Sequence, residues 1–493
     1  MKKLKFTTKA AAFILAAVSI IGAYTTLVSA DEELPYETYN YNYWEDIVIT
    51  PAAYVPSGSV TGVELGTINF KTPQDFCISE DNEVYVADTG NNRIVVLNDK
   101  MNKVNRIIDS FEMDGVTETF NAPYGVCVSE KNQLYIADSN NNRVVVLTPE
   151  GDFIKIVANP QSEVLEDDFS FVPLKVTVDY ADRVYVIAKN AFEGILLFES
   201  TGDFIGYFGT INVKISAWDK FWRRFATKEE KANQQLYIPT EFTGIDVDAD
   251  GFIYASNIDS EGIQAVRRLN PQGKDVIQKG ENGNVGGDID WSQYGTYSGP
   301  SEITDVVYRD KGMYSLLDRK RGRIFTYDKE GNLLYIFGGI GLQKGTFRTP
   351  VAIESINDEI IVLDAGRNSI LRFKETNYGS LINDAVGLRY DGDETLAIDK
   401  WQEVLRLDEN NELANNGIAK AYLTAGDNKL AMTYFKMGMN QKYYAIAYKR
   451  YRNDILASNL TVVLTVLIVI IAGLVVFSKI RAKKKGKVKE ELL

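Results

Sequence analysis

Residues 73–97 read PQDFCISEDNEVYVADTGNNRIVVL, and residues 123–147 read PYGVCVSEKNQLYIADSNNNRVVVL. The offset is 50 residues at every position. A third copy starts another 50 residues on, PLKVTVDYADRVYVIAKNAFEGILLF from Pro173. Three degenerate copies follow: FTGIDVDADGFIYASN from Phe242, ITDVVYRDKGMYSLLDRKRGRIFTY from Ile303, and PVAIESINDEIIVLDAGRNSILRF from Pro350. Tyr85, Tyr135, Tyr185, Tyr254 and Tyr314 hold one shared place, with Ile361 in the sixth copy. Self-similarity at a fixed period means an array of one supersecondary unit, each copy burying its apolar face against the next.

Each copy alternates short β-branched and aromatic runs with Gly, Asn and Asp turns. In the second copy the runs are Val126–Ser129, Leu134–Ala137, Val144–Leu147 and Phe153–Val157. Four short strands per unit read as one propeller blade, so six units read as a six-bladed β-propeller. The sixth copy stops after its third strand, near Lys374. Ile47–Thr50 or Tyr54–Val63 is expected to supply the missing strand and close the ring, removing its open edges. The pattern of Pro123, Gly125, Ala137, Asp138, Asn141 and Arg143 resembles the NHL repeat; the first copy matches except for Asp75 at the glycine place. The resemblance covers residues 47–374. It implies the fold, and it leaves function open, since NHL propellers include binding platforms and enzymes.

The Asp-to-Arg spacing recurs as Asp88/Arg93, Asp138/Arg143 and Asp318/Arg323, while Asp364 keeps only the acid. Two readings exist. The groups form a ring of ligand contacts, or each Asp caps a tight turn and the Arg packs against it. Repetition in blade after blade suits the turn. Cys77 and Cys127 occupy equivalent places beside apolar neighbours and are expected to be buried free thiols.

Taking Asp75, Gly125, Lys175, Gly244, Asp305 and Ala352 as equivalent, the spacing is 50, 50, 69, 61 and 47. The excess marks two insertions, and insertions on a regular scaffold are where function tends to sit. In the first, Ile215, Trp218, Trp222 and Phe225 fall on one helical face. Phe221 adds a further aromatic, and Lys220, Arg223, Arg224 and Lys228 add positive charge. This is a docking helix for a partner or the membrane surface, or a cap on the propeller. The second insertion, Lys279–Gly299, is a Gly-rich loop carrying Asp288, Asp290, Trp291, Tyr294 and Tyr297. Aromatics with carboxylates suit sugar rings or Ca²⁺, against a plain solvated loop.

The chain has 493 residues, two cysteines and no histidine. Ser-His-Asp and Cys-His machinery and His-ligated metal centres are thereby excluded. The net charge of −13 divides into +4 over residues 1–30, +5 over 479–493 and −22 between them. A body that acidic is repelled by phosphate backbones, so nucleic acid is not an expected partner. Residues 1–30 read as a secretory signal: a basic start, the apolar run Ala10–Ile21, then Val28, Ser29 and Ala30. Ile455–Ser478 holds 24 residues without a charge, enough for one membrane span. The basic residues after it place the C-terminal tail in the cytoplasm and the body outside.

Residues 31–46 form a Tyr-rich segment whose alternation suggests an extra edge strand or an aromatic surface for glycan. After Lys374 the character turns helical. Gly392, Asp393, Ala397 and Trp401 align with Gly426, Asp427, Ala431 and Phe435 at a 34-residue offset. That is similar to the tetratricopeptide repeat and gives a helical neck over 375–456, a span over 457–478 and a basic tail over 479–493. The neck either captures peptide or serves as a rigid stalk.

The expected function is a non-catalytic, single-pass surface protein of the cell membrane. Its propeller binds a protein, peptide or cell-envelope glycan, with no metal or cofactor required. Membrane-anchored NHL proteins of this layout resemble those of Gram-positive bacteria, some encoded beside sugar-transport systems, which implies a transport or envelope role. The alternative is a hydrolase like the six-bladed lactonases, with Ca²⁺ held by carboxylates and amides in the channel. The histidine-zinc lyase branch of the family is excluded.

Overall fold

The computed structural model describes residues 34–162, 165, 169–210, 241–280 and 285–490, with side chains through residue 483. Six antiparallel sheets form the six blades of a propeller. The first blade runs through Asp75–Ile78, Val84–Asp88, Arg93–Leu97 and Val104–Ile108 in hydrogen-bonded order. The second (Pro123–Val128 to Phe153–Val157) and third (Pro173–Val178 to Phe204–Phe208) repeat that order. Among the described residues the fourth has three strands, Phe242–Val247, Ile253–Asn257 and Val266–Leu269. A short hairpin, Ser110–Met113 with Val116–Thr119, sits between the first and second blades.

The ring closes through strand β3 (Tyr54–Thr61), which pairs with Ser369–Glu375 and completes the sixth blade. Of the two stretches expected to do this, 54–61 is used. The other belongs to a hairpin. Strand β1 (Tyr39–Tyr41) pairs with β2 (Ile47–Ile49) and lays itself on Leu333–Phe337, extending the fifth blade to six strands. The Tyr-rich segment is therefore an added edge: Tyr39 and Tyr41 are buried, as its alternation requires.

The shared tyrosines are the mortar between blades. Tyr85 lies in the apolar cluster joining the first and second blades, Tyr135 in that of the second and third, Tyr185 in that of the third and fourth. Ile361 takes the same duty between the sixth and first. Each ring is essentially inaccessible to water. Its hydroxyl end reaches the rim: Tyr85 Oη is bonded to Glu83 and Arg106, and Tyr185 Oη donates to Asp179.

Five helices follow: α1 (Asn377–Tyr390), α2 (Glu394–Leu407), α3 (Glu412–Ala425), α4 (Asn428–Met437) and α5 (Gln441–Glu490). Thr376, Asn411 and Asp427 cap the starts of α1, α3 and α4 through side-chain oxygens. The stack is not a separate body. Ile382, Ala385, Trp401 and Ile418 share one core with Leu317, Leu334 and Phe373 of the last two blades. Helix α5 is long and apolar enough to cross a membrane.

Candidate functional site

Along an inner strand alternate residues face the channel. The six equivalent positions of the repeat therefore meet at its mouth, and they alternate in size: Asp75, Gly125, Lys175, Gly244, Asp305, Ala352. The small members are required. A Cβ on Gly125 would lie 2.5 Å from the Leu174 carbonyl oxygen and 2.9 Å from Lys175 Cα. A Cβ on Gly244 would lie 2.6 Å from Asp305 Cα. The space they leave lets the charged members of the first, third and fifth blades converge. Lys175 Nζ lies 2.5 Å from Asp75 Oδ1 and 3.4 Å from Asp305 Oδ2, a crossbar between alternate blades.

The acids also tie each blade to the next. Asp75 accepts the Val126 N–H at 3.0 Å, Asp305 accepts Ile353 N–H at 3.0 Å, and Asp246, two residues further along its strand than Gly244, accepts Tyr308 N–H at 2.6 Å. Burial lowers the affinity of Lys175 for its proton, but Asp305 and Asp75 outweigh it and hold the ammonium above its ordinary value. Burial raises Asp75, against the pull of Lys175. It pushes Asp305 up to about 6 and Asp246 up to about 7. Glu354, beside Asp246 and Asp305, is raised well above the carboxylate range by burial and those neighbours, and accepts no hydrogen bond among the described residues. Carboxyls near neutrality suit acid–base chemistry. Here Asp246 and Asp305 are engaged, as Asp75 is, in ties between blades.

No group of three or more His, Cys, Asp or Glu side chains is placed to hold a metal among the described residues. The carboxylates of Asp75 and Asp305 hold an ammonium instead. Cys77 and Cys127 are free thiols of the inner strands; burial pushes Cys77 well up and Cys127 up to about 12, so neither is a thiolate near neutrality.

The repeated acids sit at the turn after each second strand and are fully buried. Asp138 accepts Asn121 N–H at 2.7 Å, Asn141 Nδ2 at 2.8 Å and Arg143 Nε at 2.9 Å. Asp88 repeats the set with Lys71 N–H, Asn91 and Arg93. Each acid thus fastens the incoming loop to the turn. In the fifth blade the spacing persists and the pair does not. Arg323 donates to the Glu37 and Gly338 carbonyls, because the added hairpin lies there, and Asp318 faces Arg321 at 3.6 Å. Asp364 accepts four backbone N–H groups, from Arg348, Thr349, Gly366 and Arg367.

The NHL-repeat family matches residues 70–97 and 120–147. Two of the six blades are NHL repeats. Their turns are the Asp-Asn-Arg sets just described. No curated protein matches the chain. Among solved structures, virginiamycin B lyase from Staphylococcus aureus is similar at 11% identity over 62% of this chain and 95% of that one, TM-score 0.40. A Bacteroides thetaiotaomicron protein of unknown function is similar at 13% over 69% and 76%, TM-score 0.41. Kuenenia stuttgartiensis hydrazine synthase is similar at 10% over 71% and 99%, TM-score 0.38. Likeness at that level says nothing of activity.

Of the residues proposed for ligand binding, Trp218, Phe221, Trp222, Arg223 and Arg224 lie outside the described residues. The second insertion packs on the fifth blade of the NHL propeller. Asp288 is buried in it: Tyr39 Oη and Tyr41 Oη both donate to Asp288 Oδ1, and Arg321 Nε lies 3.3 Å from Oδ2. This carboxylate clasps the N-terminal hairpin. Asp290, Trp291 and Tyr297 stay on the surface with Tyr294, which is 85% exposed; no ring contact joins them among the described residues.

Sequence reasoning passed over two places. One is the crossbar, signalled by charge at Asp75, Lys175 and Asp305 where the repeat has glycine. The other is β2. Among the described residues it is the outer edge of the six-stranded sheet, its backbone unpaired on one side, with Ile47, Val48 and Ile49 all exposed, Ile49 by 64%. Tyr43 and Trp44, stacked edge to face at 5.0 Å, extend the apolar patch. Behind it a cleft of about 120 Å³ separates the hairpin from α1–α3. Its wall is braced by Glu330 of the fifth blade, bonded to Arg389 Nη2 and Lys420 Nζ at 2.6 Å each. Two cations of the neck, Arg389 and Lys420, thus hold the propeller itself.

Proposed function

We propose that the chain is a membrane-anchored binding protein whose NHL propeller recruits a partner by strand addition at β2. The observation that carries this is the unpaired, apolar edge of Ile47–Ile49 beside exposed Tyr43 and Trp44. Folded proteins blunt such edges with charge, proline or cover. An uncovered apolar edge is a docking template for an extended segment, its main chain giving affinity and alternate side chains specificity. The partner is a protein or peptide on the outer side of the membrane, the apolar stretch of α5 being the anchor. Lodging of the neck in the propeller core, with Glu330 in its cationic grip, favours a stalk over a separate peptide receptor.

Pull-down with the full-length protein from solubilised membranes tests the reading. A reproducible partner that is lost with Ile47→Lys/Ile49→Lys supports it. Recovery of the same partner by that variant, or binding of envelope glycan through the Trp291–Tyr297 loop instead, overturns it. No group of three or more carboxylates that could hold calcium stands among the described residues.

A further inference from the structure

Helix α5 enters the anchor without a break, and its first four turns have two faces. Tyr443, Ala447, Arg450 and Asp454 fall at i, i+4, i+7 and i+11, one side of the helix. That side is docked. Ala447 is buried with Tyr443 against Phe435 and Ala431, Arg450 Nη1 donates to the Leu423 carbonyl at 3.3 Å, and Asn428 Nδ2 donates to Asp454 at 2.7 Å. The last of these contacts stands one residue before the uncharged stretch begins at Ile455. The side away from the neck carries Lys442, Tyr448, Lys449 and Arg452, all exposed. Lys449 and Arg452 have no ion pair among the described residues, although the body is strongly acidic and most of its buried cations are paired.

We infer that Lys449 and Arg452, with Tyr448 beside them, form a collar that binds the phosphate headgroups of anionic lipids in the leaflet on the propeller side. At a rise of about 1.5 Å per residue, Arg452 stands about 5 Å and Lys449 about 9 Å from Ile455 along the axis. The headgroup layer is about 5–8 Å deep on each side, so Arg452 stands within it and Lys449 just outside it, within reach of its long side chain. Long basic side chains reach along the interface there, and a tyrosine ring sits at the same level. Docking of the opposite face to α3 and α4 fixes which way the collar points. The lipid contact therefore sets the rotation and height of the propeller over the bilayer. The inference rests on α5 being the membrane anchor.

The test uses the full-length protein in nanodiscs of mixed phosphatidylcholine and phosphatidylglycerol, with retained lipids counted by native mass spectrometry. The C-terminal tail is neutralised in both arms by Lys483→Gln, Lys484→Gln, Lys485→Gln, Lys487→Gln and Lys489→Gln, so that the other leaflet does not mask the collar. Phosphatidylglycerol is expected to be enriched, and Lys449→Gln/Arg452→Gln to lower that enrichment about fivefold for each cation removed. Enrichment unchanged by the double substitution overturns the collar while leaving the anchor intact. Displacement of the lipid by inorganic phosphate alone would reassign the site to free phosphate and also overturn it. A chain that does not insert at all refutes the anchor, and the collar with it.

Discussion

Replacing Lys175 by methionine keeps the length and apolar stem of the side chain and removes the charge that joins Asp75 and Asp305. Lys175 is buried, as are both acids, so solvent cannot screen the loss. Breaking a buried ion pair by removing one partner costs roughly 3–5 kcal/mol, because the remaining charges stay desolvated. For a domain this large, about 2 °C of melting temperature accompanies each kcal/mol, so a fall of about 6–10 °C is expected near pH 8. The pH dependence is the sharper signature. A carboxyl whose folded pKa is raised contributes stability that is full below its unfolded value and lost as pH rises through its folded value. For Asp305 that window runs from about 3.8 to about 6. Without Lys175 the folded values of both acids rise further, so the variant loses more stability than the parent as pH rises from 5 to 8. Thermal melts of full-length parent and variant at pH 5 and pH 8 read the difference directly. Adding Asp75→Asn and Asp305→Asn to Lys175→Met is expected to restore most of the loss. A deficit equal at pH 5 and 8, or none, would refute the crossbar.

Gly125→Ala forces a methyl against the Leu174 carbonyl and is expected to cost about 2–3 kcal/mol, read as a lower denaturation midpoint. Tyr135→Ala empties the wedge between the second and third blades and is expected to cost about 3–5 kcal/mol in the same assay. Asp138→Ala leaves Arg143 and the Asn121 N–H without their buried partner; a loss of about 2–4 kcal/mol is expected, and a loss under 1 would show the turn does not need its acid. Glu330, 35% exposed at its side chain, is held down at about 2 by Lys420 and Arg389 against the opposing effect of burial. Its contribution is present above the ordinary value of 4.5 and lost as pH falls through about 2, so Glu330→Gln should cost about 1 kcal/mol at pH 7 and nothing at pH 2.

The propeller was legible because its unit is written six times and its strand period is short. The closing strand was narrowed to two stretches, and pairing geometry chose Tyr54–Thr61, which can run alongside Ser369–Glu375 for its whole length. The turn acids were legible as a spacing, but spacing does not report a neighbour: Arg323 abandons Asp318 for the carbonyls of Glu37, just before the hairpin, and of Gly338, just after the blade's fourth strand. Asp288 looked like a ligand carboxylate in a Gly-rich loop; its partners Tyr39 and Tyr41 stand about 250 residues away in sequence. The β2 stretch reads as a strand in the sequence, but as a ring-closing one; that it is an exposed edge was not legible, since three apolar residues in a row read as buried until the sheet shows which edge is left over. The crossbar was within reach, because Asp, Lys and Asp occupy glycine places in alternate copies.

The measurement that bears most directly on a binding role at β2 is recovery of a partner by the full-length protein and by Ile47→Lys/Ile49→Lys from the same solubilised membranes, with thermal melts of both. A partner captured by the parent and lost by a variant of unchanged melting temperature is the expected result. Equal capture by the two, with equal stability, would contradict it.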